Sequence, residues 1–130
     1  MSVAFAMALW VLSHGAATPR VYVEYAGADR VGRLLATTTR ARLSHSDTYR
    51  LAASRLDADY LVQVISLPQH ACNGDAATLE SAISISFVRP GAPPVYLGSM
   101  LEMVGNEQTE HMTDLVLAQL NRLGQQGGAQ

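Results

Sequence analysis

The segment from Tyr60 to Leu67 constrains this chain more than any other. It holds Leu61, Val62, Val64, Ile65 and Leu67 within eight residues, and Pro68 follows directly. A β-rich run that is apolar on nearly both faces must be covered from both sides, so it reads as a central strand. Proline has no N–H to give to a ladder, so it ends the strand. A chain organised around such an element needs at least two layers.

Strict alternation marks the next strand: Ile83, Ile85 and Phe87 face inward while Ser84 and Ser86 face outward. The connection from Pro90 to Pro94 leads into a long antiparallel strand, Val95 to Val104. Val21 to Tyr25 alternates in the same way and forms the first strand. Gly27 and Ala28 then supply a turn and Asp29 an N-cap for a helix from Arg30 to about Leu43. Val31, Leu34, Leu35 and Thr38 would form its buried face, with Arg30, Arg33 and Arg40 on the other. The polar turn Ser44 to Asp47 leads to a short strand, Tyr49 to Ala52, and Leu56 to Asp59 turn again. Gln69 to Glu80 reads as a loop, with Asn73, Gly74 and Asp75 as its turn signal. Asn106 would cap a last helix that buries Met112, Leu115, Val116, Leu120 and Leu123 and ends near Leu123. The expected order is β-α-β-β-β-β-α: a two-layer α+β fold with a mostly antiparallel sheet and both helices on one face. One sheet face then stays partly open, and its edges are candidate docking surfaces.

The amino terminus points to a compartment. Val3 to Leu12 is an unbroken apolar run, the length of a signal-peptide core and too short to span a bilayer. Gly15, Ala16 and Ala17 fit the small-x-small cleavage rule. The chain is therefore expected to divide into a signal peptide, 1–17, a single domain, 18–124, and a disordered Gly/Gln tail, 125–130. Only Met1 and Ser2 precede the apolar run, without the usual basic residue, so the signal is atypical or the true start lies upstream. The expected destination is the periplasm or the exterior.

Of the 130 residues, 48% are apolar and 15% charged, ordinary values for a folded globule. The net charge of −2 gives no field to draw in nucleic acid or anionic lipid. No lysine occurs, and the charge is uneven. Arg20 to Arg55 carries seven of the nine arginines against three acids, a net +4, whereas from Leu56 onward two arginines face eight acids, a net −6. Either the halves complement each other within the fold, or a basic helix face meets an acidic partner.

Tyr49, Arg50 and Leu51, then Ala58, Asp59 and Tyr60 leading into the apolar strand, together with Leu34 and Leu35 in the helix before, resemble a known pattern. It is that of small α/β domains of envelope proteins, such as the N-terminal domain of TolB, the curli-secretion protein CsgG and the penicillin-binding-protein activator LpoB. The likeness covers about half the chain and is one of element types. It implies an envelope protein that binds other proteins, and it carries over no functional residue.

Catalytic, cofactor and metal sites are assigned to no residue. Ser44, His45, Ser46 and Asp47 hold triad residue types, but four neighbours on one turn cannot form a triad alone. No nucleophile elbow exists, so a small hydrolase is a remote alternative. His70 and Cys72, with His111 or Glu110, are the one combination able to hold a metal or small ligand, a weak signal on zinc spacing. Asp57 and Asp59 flank a turn, where capping is the ordinary role. Gly27 and Gly32 do not make a phosphate loop. Met100, Met103 and Met112 sit at core spacing. With a single cysteine, Cys72 is either a free thiol or part of an intermolecular disulfide. The leading expectation is a non-enzymatic exported protein that binds an envelope partner, or a second copy of itself, through a sheet edge or the arginine-bearing helix face. Mass spectrometry of the protein from fractionated cells expressing the full chain is expected to find Thr18 at the amino terminus. An intact Met1 in the cytosolic fraction would overturn the export reading.

Overall fold

A computed structural model describes residues 18–68 and 80–128. The segment 1–17 and the loop carrying His70 and Cys72 lie outside the described residues. Five strands form one mixed sheet in the order β2-β1-β3-β4-β5. They are β1 (Arg20–Ala26), β2 (Arg50–Leu51), β3 (Tyr60–Pro68), β4 (Glu80–Arg89) and β5 (Val95–Gly105). The helices α1 (Arg30–Ser44) and α2 (Thr109–Gly128) share the buried core cluster with the sheet. No helix among the described residues is long and apolar enough to cross a membrane.

β3 takes the central position that its two-sided apolarity requires. It pairs with β1 in parallel and with β4 antiparallel over eight residues. The antiparallel pairing of β4 with β5 is the longest ladder, and β1 and β2 add a parallel contact at Arg20/Arg50 and Val21/Leu51. The sheet is thus antiparallel over most of its ladder length, with a parallel β1-α1-β2 unit at one side. Between Phe87 and Val88 the β4–β5 register slips, so that Phe87 faces Gly98 and Val88 faces Tyr96. Leu97 is the extra residue of this bulge and turns toward the core. Gly98 adopts φ +155°, a conformation that favours glycine.

The helix-facing side is filled by Val21, Val23, Val62, Val64, Ile83, Ile85 and Phe87, the inward sets that alternation gives. The helix stripes differ in detail from the sequence expectation. In α1 the buried residues are Val31, Gly32, Leu35, Ala36, Thr39 and Leu43, while Leu34 is exposed and Thr38 only half-buried. The rotation follows from Gly32, where a Cβ would overlap the Ser66 side chain, so α1 presses that face onto β3. In α2, Met112, Val116, Leu120 and Leu123 are buried, but Leu115 turns to the surface beside β5.

The α2 boundaries also differ. A 3-10 turn over Asn106–Gln108 precedes the helix, and the Gly105 N–H donates to Gln108 Oε1 at 3.0 Å. Asn106 lies inside that turn and is not the cap. At the other end α2 runs on to Gly128, so residues 125–128 of the expected disordered tail are helical. Gln125 and Gln126 are good helix formers and no proline stops them. Glu80, placed in the loop by sequence, begins β4.

On the outer face the register sets rows across the strands. Tyr22, Leu61, Val88 and Tyr96 make one row, and Glu24, Gln63, Ser86 and Ser99 the next. Leu61 is fully buried, because the segment 52–58 folds over it with Ala52 and Ala58. Among the described residues the rows beyond have no such cover. Leu61→Ala is therefore expected to cost about 2–4 kcal/mol by opening a cavity. Leu67→Ala, on the same face, should stay within about 0.5 kcal/mol of wild type. Urea unfolding of the two variants measures the contrast.

Candidate functional site

Because β4 alone runs against β1, β3 and β5, the carboxyl ends of those three strands lie together at the start of β4. In open α/β sheets, ligands favour this end where neighbouring connections diverge. Here Asp29 occupies it. Its carboxylate accepts from the Gly32 N–H at 3.0 Å, as the N-cap of α1, from Ser81 Oγ at 2.6 Å and from Ser66 Oγ. Tyr25 Oη donates to the Asp29 carbonyl at 3.0 Å and lies 3.1 Å from Ser66 Oγ. Ser66 and Ser81 are buried. Burial alone pushes the Asp29 carboxyl up, but the hydrogen bonds from Ser66, Ser81 and Gly32 outweigh it and hold its pKa below the ordinary 3.8.

This constellation ties elements together more than it offers a reactive group. Asp29 carries a capping bond and two serine bonds, so the charge that an anion-binding helix start would present is already answered. Gly27 and Gly32 serve close approach: a Cβ at either position would collide with Ser66.

The remaining sequence candidates fall into structural roles or stay apart. His45 closes α1, its Nδ1 2.9 Å from the Ala41 carbonyl and 3.2 Å from Ser44 Oγ, while Ser46 Oγ accepts from the Thr48 and Tyr49 N–H groups. Asp57 accepts from Ser54 Oγ. Asp59 accepts from the Arg20 N–H at 2.8 Å, and its own N–H donates back to the Arg20 carbonyl, which joins the starts of β1 and β3. Glu110 is committed to Arg42, and His111 is exposed on α2. Among the described residues no three metal-ligating side chains come together.

One of the three arginines on the outward face of α1, and Arg42 beside it, make internal contacts. Arg40 folds back to donate to the Val23 carbonyl at 2.9 Å, a group left open because β2 is too short to pair with it. Arg42 bridges to Glu110 and Asp114 on α2 at 3.3 and 2.6 Å, and Arg55 reaches Glu24 at 3.3 Å. The basic and acidic halves of the sequence thus meet inside the fold. Only Arg30 and Arg33 remain on the outward side of α1 without an ion pair among the described residues.

What remains open is the far half of the outer sheet face. Ile65, Ser84 and Leu101 form one row there and Leu67, Ala82 and Met103 the next. Ile65 is 50% exposed, Leu67 66%, Leu101 75% and Met103 44%. Apolar side chains this exposed and this contiguous mark an interaction surface more often than chance. Core spacing misplaced Met103: it faces outward opposite Ala82, in a row whose other member, Leu67, is itself exposed. Met100 and Met112 do pack with the core. In the strand pattern, Leu101 and Met103 alternating with Met100 and Glu102 was the available signal. Which alternate set would be covered depended on the 52–58 segment.

No protein-family model matches this sequence, and no curated protein matches it significantly.

Asp29→Ala removes the cap and leaves two buried serine hydroxyls without their acceptor, for an expected loss of about 2–4 kcal/mol in chemical unfolding. The carboxylate is favoured by folding, so its contribution is full above the ordinary carboxylate range and is lost as pH falls through the lowered folded value. The gap in urea midpoint between wild type and Asp29→Asn should accordingly be widest near about pH 6 and close toward about pH 3.

Proposed function

We propose that this chain is an exported, non-enzymatic binding protein of the cell envelope that docks a partner protein on the bare half of its sheet. The observation that carries the reading is the apolar patch of Ile65, Leu67, Leu101 and Met103 on one face. A partner that covered it would present an apolar surface of its own, because Ser84 and Ala82 between the exposed side chains offer neither charge nor a deep pocket. The signal-like apolar run from Val3 to Leu12 supports a site of action outside the cytoplasm. The element pattern around Tyr49 to Tyr60, similar to that of envelope protein-binding domains, points the same way. The sequence points to a sheet edge or the α1 arginine face; the exposed apolar rows favour the sheet face instead, while on α1 Arg40 is turned inward and Arg30 and Arg33 alone remain outward.

The test is a double substitution, Ile65→Lys with Leu67→Lys, on a tagged full chain. Both side chains already reach solvent, so the melting temperature should change by less than about 5 °C. Co-purification of an envelope protein seen with wild type is expected to disappear. Retention of every wild-type partner by the folded double variant would rule out docking on this face.

A further inference from the structure

Beyond the face, the sheet has two edges, and they are unlike. β2 closes one side with two residues, one of them Arg50. β5 closes the other with eleven, paired to β4 on its inner side and, among the described residues, to no strand on its outer side. Edges are normally blunted by brevity, proline, lysine or inward charge. β5 contains no proline and a single charge, Glu102, and its one irregularity, at Leu97 and Gly98, leaves Ser99 to Gly105 in regular register with β4.

The groups flanking this edge are arranged with a polarity. Glu102 pairs in register with the core residue Ile83, so it lies on the helix side of the sheet. There it lines a small recess of about 180 Å³ with Gln108, His111 and Leu115 of the α2 side. α2 returns antiparallel to β5, and its residues divide by direction: Glu110 and Asp114 face α1, while His111 and Leu115 line the recess beside β5, and the helical period puts Arg122, seven residues after Leu115, on their stripe. Glu102 therefore stands toward one end of the edge and Arg122 toward the other, with Leu115 between them. Both charges are exposed, and among the described residues neither is in an ion pair.

We infer that β5 is the interface for a second copy of this chain, joined by antiparallel β5–β5 pairing about a two-fold axis normal to the sheet. Such an axis exchanges the ends of the edge, so Glu102 of one copy meets the end that carries Arg122 of the other, twice over. The same operation brings the two Leu115 side chains toward the axis and continues the outer-face rows of Leu101 and Met103 across the joint. An isologous contact needs a surface complementary to itself. This edge meets that condition with an acidic end, an apolar middle and a basic end. Main-chain hydrogen bonds supply affinity, and the two ion pairs fix register and orientation.

Sedimentation of the protein purified from cells expressing the full chain tests this. Wild type is expected to sediment as a dimer, and Glu102→Arg and Arg122→Glu should each weaken dimerisation by about tenfold or more. The charge-swapped double variant, Glu102→Arg with Arg122→Glu, should restore it. Both positions are exposed, so circular dichroism should show the same fold in every variant, while the single variants should melt lower than wild type by what the dimer contributes. Amide exchange on the outward N–H groups of Ser99 to Leu101, nearest the axis, should be slow in the dimer and fast in the single variants. Wild type that stays monomeric up to about 100 µM would overturn the interface, as would single variants that dimerise normally or a double variant that fails to recover. The Ile65 and Leu67 substitutions lie two strands away, so loss of a partner and loss of the dimer are separable results.

Discussion

The carboxylate of Asp29 joins four elements of the fold at one point. It begins α1 through Gly32, holds β3 through Ser66 and β4 through Ser81, while Tyr25 of β1 donates to its backbone carbonyl and touches Ser66. The close approach of α1 to β3 depends on this junction, with Gly32 and Gly27 leaving room for the serine side chain. Bonds to an ionised acceptor are stronger than neutral ones, and here they are part-buried, with both serines enclosed at the sheet end. From that fixed point the direction of α1 follows, and with it the rotation that buries Leu35 and leaves Leu34 outside.

The second constraint is the uneven cover of the outer face. The residues between β2 and β3 fold over Leu61 and reach only as far as the polar row of Glu24 and Gln63, where Gln63 donates to Glu24 and Arg55 reaches Glu24. Beyond that row the same strand that needs two covering layers has one among the described residues. Exposed apolar area has a free-energy cost that burial by a partner would relieve. The long β5 edge borders this bare half, so the two unfinished surfaces of the domain adjoin.

Charge segregation along the chain resolves into pairs across it. Arg42 links the helices, Arg55 covers the outer face, and Arg20 with Asp59 closes the start of β1 against β3. These are exposed contacts of modest strength, each worth on the order of 1 kcal/mol or less. Their meaning lies in what they leave over. Two arginines of α1 stay outward, and Glu102 and Arg122 stand at opposite ends of the β5 edge.

Periodicity alone made the strands legible, because a strand that must bury one face writes that need at every second residue. Ile83, Ile85 and Phe87, and the double-sided run from Tyr60 to Leu67, placed β4 and β3 correctly, and Asp29 was readable as a cap from its place before an apolar helix. The two-layer α+β architecture was determined in this way by sequence. Other features depend on contacts between residues far apart in the chain. The serine partners of Asp29 lie 37 and 52 residues away from it, beyond any local pattern. Asn106 resembled a cap, but the Gly105 to Gln108 contact and an intervening 3-10 turn took that role. Whether Leu61 or Leu67 would be buried was undecidable from their own strand, where they are equivalent. Only the folding of the segment just before β3 over one of them, and among the described residues not over the other, decided which half of the sheet is left open.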